Sequence, residues 1–387
     1  MLTLLRHADV FAPDPLGFCD VLIGGERVLY VGPRLDALPN ALTVQVIDCA
    51  GRRVIPGLID GHVHLTGGGG ESGAASRVPA PFLSRYTLGG VTSVIGVLGT
   101  DDVTRTTGQL VTQARALIDE GLSAWCHTGG YHVPLTTLTG SVRGDLTYID
   151  RIIGVGELAI SDHRSSQPTL DELLRIASDA HVGGLMTGKA GIVHLHVGDG
   201  ARGLSLVREA IAQSELPARV FNPTHVNRRK ALFEEAVELT AFGCTVDITA
   251  FPVADGEDAW SAADSVERAI AANADLSRVT VSSDGGGCLP MFDEDGRVAT
   301  MDVGDVGAMA FALGELLSRG HAMESVLPCF TSNLASLLRL PRKGVIAAGA
   351  DADLVVLDDL HRVRDVMARG VWQVANGVAQ RRGSFEP

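Results

Sequence analysis

From about Pro56 to Arg342, short runs of apolar, β-branched residues alternate with longer stretches whose apolar positions recur at helical spacing. The short runs predict strands at Leu58–His64, Val91–Val97, Ala124–Thr128, Ile152–Ile160, Ile192–Val197, Val220–Phe221, Thr245–Thr249 and Val279–Ser283. Between them, Gln109–Glu120, Leu170–Ala180, Leu204–Gln213, Arg229–Phe242 and Ala262–Ala272 read as helices. Eight strands interleaved with helices predict an α/β chain folded as a (β/α)8 TIM barrel over residues 56–342. A doubly wound open sheet is the rival, and it is weakened because no GxGxxG follows a strand.

The two ends have a different texture. Short β-rich pieces at Thr3–Leu5, Val21–Ile23, Val28–Val31 and Val44–Ile47 alternate with Gly, Pro and Asp turns. The pattern returns at Asp353–Leu357, Val363–Ala368 and Val371–Val374. Residues 1–55 and 343–387 are therefore expected to pair as one small β-sandwich domain interrupted by the barrel.

Composition narrows the partners. The 387 residues carry 32 Lys+Arg against 46 Asp+Glu, a net charge of −14, which argues against nucleic acid or an anionic membrane. No long apolar run and no secretory leader pattern is evident, and the six cysteines are scattered without a CxxC. Reduced thiols and a cytoplasmic location are the expectation. Only three lysines occur, Lys189, Lys230 and Lys343, a bias that matters for the chemistry below.

In a barrel, reactive side chains project from the C-terminal ends of the strands. The first strand ends in Asp60-Gly61-His62-Val63-His64, and alternation points His62 and His64 the same way. The fifth closes with His194-Leu195-His196, where His196 is nearer the end; the sixth is followed by Thr224-His225 and the eighth by Ser283-Asp284. Four imidazoles (His62, His64, His196, His225) and one carboxylate (Asp284) at one rim point to a divalent metal site. His127, His132, His163, His181 and His321 lack a spacing partner and are set aside.

These residues resemble the amidohydrolase superfamily. The segments Gly61–Glu71, Tyr131-His132-Val133-Pro134, Ser161-Asp162-His163-Arg164, Pro223–Arg228 and Ser282-Ser283-Asp284-Gly285 narrow the resemblance to its isoaspartyl dipeptidase family. That resemblance implies a metalloprotease cleaving β-aspartyl dipeptides through a metal-bound hydroxide. His62 and His64 would hold one ion with Asp284, and His196 and His225 the other. Asp284 would shuttle the proton and Tyr131 would donate to the oxyanion.

Charge supports the same substrate, which carries one ammonium and two carboxylates. Glu71 suits the ammonium, and Arg164 and Arg228 suit the carboxylates. Thr100 and Cys288 complete the candidate substrate-binding set.

Two departures from the family pattern stand out. Where the family carries a carbamylated lysine at the end of the fourth strand, this chain has Glu157. A glutamate can bridge two divalent ions, expected to be Zn2+, without CO2; a single tightly bound ion is the alternative. Its carboxylate sits about three bonds closer to the backbone, however, so the backbone must approach, and Gly154 and Gly156 permit a bulge that would do this. Cys288 stands where a serine is usual. The resemblance further implies a homo-oligomer. A related deacylase or amidase acting on N-acyl amino acids is the alternative enzyme, and a metal-free assembly protein the non-enzyme reading.

Overall fold

The computed structural model describes residues 2–387 except 37, 40 and 293–296. The chain opens with strands β1 (Leu2–Phe11), β2 (Pro15–Gly24), β3 (Arg27–Gly32), β4 (Val44–Asp48) and β5 (Arg53–Pro56). There follow eight strands: β6 (Leu58–Val63), β7 (Val91–Gly96), β8 (Ser123–Thr128), β9 (Ile152–Ile160), β10 (Val193–Val197), β11 (Phe221–Thr224), β12 (Val246–Thr249) and β13 (Val279–Ser282). Strands β6 to β11 pair in sequence order as one parallel sheet, and β12 pairs with β13. The amide of Val226 on Asp247 O and a parallel bridge between Val63 and Gly285 link the two pieces, so the barrel closes. These eight strands are buried along their length except for the half-buried Trp125 in β8, as a parallel sheet covered by helices requires.

Several helices begin where the sequence offers a cap. Thr106 with Gln109 caps Thr107–Glu120, and Thr169 with Glu172 caps Leu170–Thr187, each as a reciprocal capping box. The second helix runs beyond the expected Ala180 because Gly183 and Gly184 do not stop it: a Cβ on Gly184 would lie 2.6 Å from the Cα of Gly191. They are packing positions. The sixth barrel strand likewise starts later than expected and runs through Pro223, which pairs with Leu195. Helix Ala308–Ser318 escapes a periodicity reading because nearly all its residues are apolar. A hairpin of β14 (Cys288–Phe292) and β15 (Val298–Val303) follows the last barrel strand, where no element was expected.

Strands β16 (Leu354–Leu357), β17 (Val363–Ala368), β18 (Val371–Ala375) and β19 (Val378–Ala379) join β1–β5 in one nine-stranded sheet. The joint is β5 against β16, with Ile55 opposite Val355. Strand β1 is longer than expected and binds β2 on one side and β4 and β5 on the other. The sheet covers its own core of Leu5, Val10, Val21, Val54, Leu354 and Met367. Among the described residues no helix is long and apolar enough to cross a membrane.

Lys343 ties this sheet to the barrel. Its buried ammonium donates to Ser123 Oγ at the start of β8 (2.6 Å) and pairs with Asp351 (2.8 Å) and Asp353. Replacing Lys343 by Met leaves the buried Asp353 and the partly buried Asp351 each short of a partner. The variant should lose about 3–5 kcal/mol, read as a fall in the urea midpoint.

Candidate metal centre

His62 and His64 leave the end of β6 on the inner side of the barrel and meet Asp284, which follows β13. His62 Nε2 lies 3.4 Å and His64 Nε2 3.1 Å from Asp284 Oδ1. Glu157, near the end of β9, stands between the imidazoles. Its Oε1 is 3.5 Å from His62 and 3.4 Å from His64, and its Oε2 is 3.1 Å from His196 Nδ1 and 3.5 Å from His225 Nε2.

The short side chain reaches this point because its backbone does. Val193 pairs with Val155 but Leu195 with Leu158, so β9 carries one extra residue against β10, a bulge at Gly156-Glu157. A Cβ on Gly156 would sit 2.8 Å from His194 Cβ, and one on Gly154 2.9 Å from Ile192 O. Both glycines are therefore required by close approach.

The donor set fits a cation. Asn222 donates through Nδ2 to Thr245 O (2.8 Å), which leaves its Oδ1 to accept from His194 Nδ1 (2.7 Å). His194 Nε2 must then accept from His62 Nδ1 (2.8 Å). In neutral His62 this leaves a bare lone pair on Nε2, facing two carboxylates. His62 Nε2 and Asp284 Oδ1 are both buried without a hydrogen-bond partner in the protein. A divalent ion satisfies all three groups, whereas the bare protein must protonate His62.

The electrostatics follow. Burial pushes the Glu157 carboxyl up, but the charge of His62 and the imidazoles of His196, His225 and His62 around it hold it well below the usual range. Asp284 is likewise depressed against its burial by the neighbouring imidazoles of His62 and His64. Burial lowers His225 to about 3, and burial with the charge of His62 lowers His194 to about 4, so both are neutral.

Two groups of three have ligand atoms mutually within 4.8 Å: His62, His64 and Asp284, and His62, Glu157 and His225. His196 belongs to neither group, although it was expected to pair with His225; it touches the cluster through Glu157.

Beside the cluster, Glu71, Thr100, Tyr131, Arg164, Arg228 and Cys288 line the same pocket. Thr100 Oγ1 donates to Glu71 Oε1 (3.1 Å), which also faces Arg164 Nη1 (3.4 Å). Glu71 Oε2 is buried without a hydrogen-bond partner. Tyr131 stays a phenol, its pKa raised by burial and by Glu157, with its hydroxyl 2.8 Å from His196 Nδ1. Burial and then Glu71 push the Cys288 thiol up to about 12. The Gly67–Gly70 segment is a tight turn, with positive φ at Gly67, Gly69 and Gly70, held by Arg105 on Thr66 O, Gly69 O and Val78 O.

All the residues expected at the site thus converge. Two more were not singled out. His194 shares the HxH spacing of the first pair and serves as the prop of His62. Asp162, inside the quoted Ser161–Arg164 segment, bonds His196 and Arg164.

The model of the amidohydrolase family matches residues 53–372. The chain belongs to that family. This amidohydrolase is 40% identical to a β-aspartyl dipeptidase from Fervidobacterium islandicum AW-1, solved in complex with the β-Asp-Leu dipeptide. The match covers 98% of both chains with a TM-score of 0.94. A second structure of the β-aspartyl dipeptidase from that organism is 39% identical, with a TM-score of 0.90 over 98% of this chain and 99% of that one. A dihydroorotase from Halobacterium salinarum is 26% identical over 88% of this chain and 83% of its own length. Within the family the chain falls with the β-aspartyl dipeptidases.

Zinc returned to chelator-treated protein should raise its melting midpoint, by the equivalent of about 2.7 kcal/mol at a hundredfold excess over Kd. Glu157→Ala should bind less metal per chain by elemental analysis; unchanged stoichiometry removes Glu157 from the ligand set.

Proposed function

We propose that this amidohydrolase hydrolyses β-aspartyl dipeptides using two divalent ions, with zinc favoured by the imidazole-rich donors. The observation that carries this reading is Glu71. It is a pocket-lining carboxylate with one oxygen buried and without a hydrogen-bond partner; it faces Arg164 and shares the pocket with Arg228, Glu157 and Asp284. One anion and two guanidinium groups complement one ammonium and two carboxylates. The Fervidobacterium enzyme solved with β-Asp-Leu supports the same substrate. An N-acyl amino acid has no ammonium for Glu71, which disfavours a deacylase.

His62, His64 and Asp284 would hold one ion and His196 and His225 the other, with Glu157 shared. When bound, the ions would polarise the scissile carbonyl and acidify the attacking water. Arg164 and Arg228 fix the substrate carboxylates, and Glu71 its ammonium. Tyr131 donates its hydroxyl proton to a hydrogen bond with the carbonyl oxygen as charge develops there. Asp284 takes the proton of the water at its carboxylate and returns it to the leaving amine. Its depressed pKa keeps it an anion, the form a proton acceptor needs.

Zinc-loaded protein should release leucine from β-Asp-Leu and leave α-Asp-Leu intact, in CO2-free buffer as in air. Cleavage of neither peptide would overturn the assignment. Asp284→Asn should lower kcat by about 10²–10⁴-fold with the fold retained, by steady-state kinetics and circular dichroism.

At Cys288 the thiol is a weak donor and, with its raised pKa, no nucleophile at neutral pH. Cys288→Ser should keep kcat and lower KM for β-Asp-Leu. A collapse of kcat would give the thiol a part in the chemistry.

A further inference from the structure

Asp162 is buried just past β9 and receives more polar contacts than its place in a connecting loop explains. Its Oδ1 accepts from the backbone amide of Arg164 (2.7 Å) and from Arg164 Nε (3.0 Å). Its Oδ2 accepts from Arg164 Nη2 (2.8 Å) and lies 2.9 Å from His196 Nε2. One carboxylate thus grips a guanidinium of the substrate pocket with one hand and an imidazole of the metal centre with the other.

We infer that Asp162 is a positioning residue that couples the metal centre to carboxylate recognition, by fixing both the tautomer of His196 and the fork of Arg164. The inference rests on the proposed dipeptidase reading for the role of Arg164, and on geometry alone for His196.

A neutral ring carries one N–H, and a carboxylate at Nε2 places that proton there. The lone pair then sits on Nδ1, the nitrogen that faces Glu157 Oε2 at 3.1 Å and Tyr131 Oη at 2.8 Å. The surroundings make the anion necessary. Arg164 Nη2 and Arg228 Nη1 stand 3.5 and 3.4 Å from His196 Nε2, so two cations crowd the nitrogen that must keep its proton. Without the carboxylate they would favour the opposite tautomer, with Nε2 accepting and Nδ1–H turned toward the metal ligands.

The backbone is shaped for this contact. The residue after β10 is Gly198, where a Cβ would overlap the Asp162 side chain and lie 2.6 Å from its Oδ2. At Gly200 a Cβ would lie 2.6 Å from Ser161 O. These two glycines, just past the strand that carries His196, leave room for the Ser161-Asp162 turn. The loop is pinned from its other end too: Asp162 O accepts from Ser165 Oγ and Gln167 Nε2 (2.8 and 2.7 Å).

The test separates coupling from simple anchoring. Asp162→Asn and Arg164→Met are purified, and zinc affinity is measured by competition with a chromogenic chelator, alongside KM and kcat for β-Asp-Leu. Asp162→Asn should weaken zinc about 10–100-fold and also raise KM, whereas Arg164→Met should raise KM and leave zinc affinity unchanged. Wild-type zinc affinity in Asp162→Asn overturns the inference, as does an equal zinc loss in Arg164→Met. Gly198→Ala, which presses on the carboxylate from just past the neighbouring strand, should weaken zinc in the same direction and serves if Asp162→Asn does not fold. The zinc measurements need no turnover. A parent protein that binds zinc tightly but cleaves no β-aspartyl peptide would overturn the dipeptidase reading while the His196 half of this inference is still decided.

Discussion

Four imidazoles converge on the carboxylate of Glu157, and a side chain this short can serve them only because β9 bulges toward the barrel axis. Much else in the site follows from that reach. Glycines at 154 and 156 let the bulge press against β10, and Gly99 leaves room beside His64, where a Cβ would come within 2.7 Å of the ring. In a buried, low-dielectric setting the cluster is unstable as bare charge, so its stability is linked to a cation. In the proposed two-ion centre, Glu157 takes the place of a carbamate. With no lysine in β9, the centre is assembled from groups that the ribosome supplies complete.

Around the ligands lies a second layer that decides which nitrogen each ring offers. Asn222 acts through His194 on His62, Thr249 bonds His225 Nδ1 (2.7 Å), and Asp162 bonds His196. Asp60, pushed by burial to about 7 but bonded by Ser283, sits under the first HxH and binds the amide of His62. Asn222, Thr249 and Asp162 act on rings of a neighbouring strand, whereas His194 reaches His62 across the barrel, so strand register, barrel closure and ring orientation are set together.

Much of this was legible in the chain. The His62–His64 pair, single histidines after later strands and Asp284 stand at strand ends, and strand ends are where a barrel puts its chemistry. Glu157 could be placed by counting back from Ser161–Arg164. The outer layer was harder to read. His194 is spaced like a ligand, and only its bond to His62 shows that it is a prop; Asp162 looks like any loop aspartate until its two partners meet in space. Among the elements, Ala308–Ser318 lacks a polar face to give it a period, Pro223 reads as a strand end, and Gly183–Gly184 reads as a helix end. In each case tertiary packing overrode the local signal.

The terminal sheet has a consequence for synthesis. Strand β5 lies between β1 and β16, so one of its edges finds its partner only after the whole barrel has been made. Until then the emerging chain exposes an open β edge and an apolar face, both prone to pairing with other chains. This architecture thus makes completion of the fold a late event on the ribosome, and a nascent chain stalled before β16 is the species most in need of a chaperone.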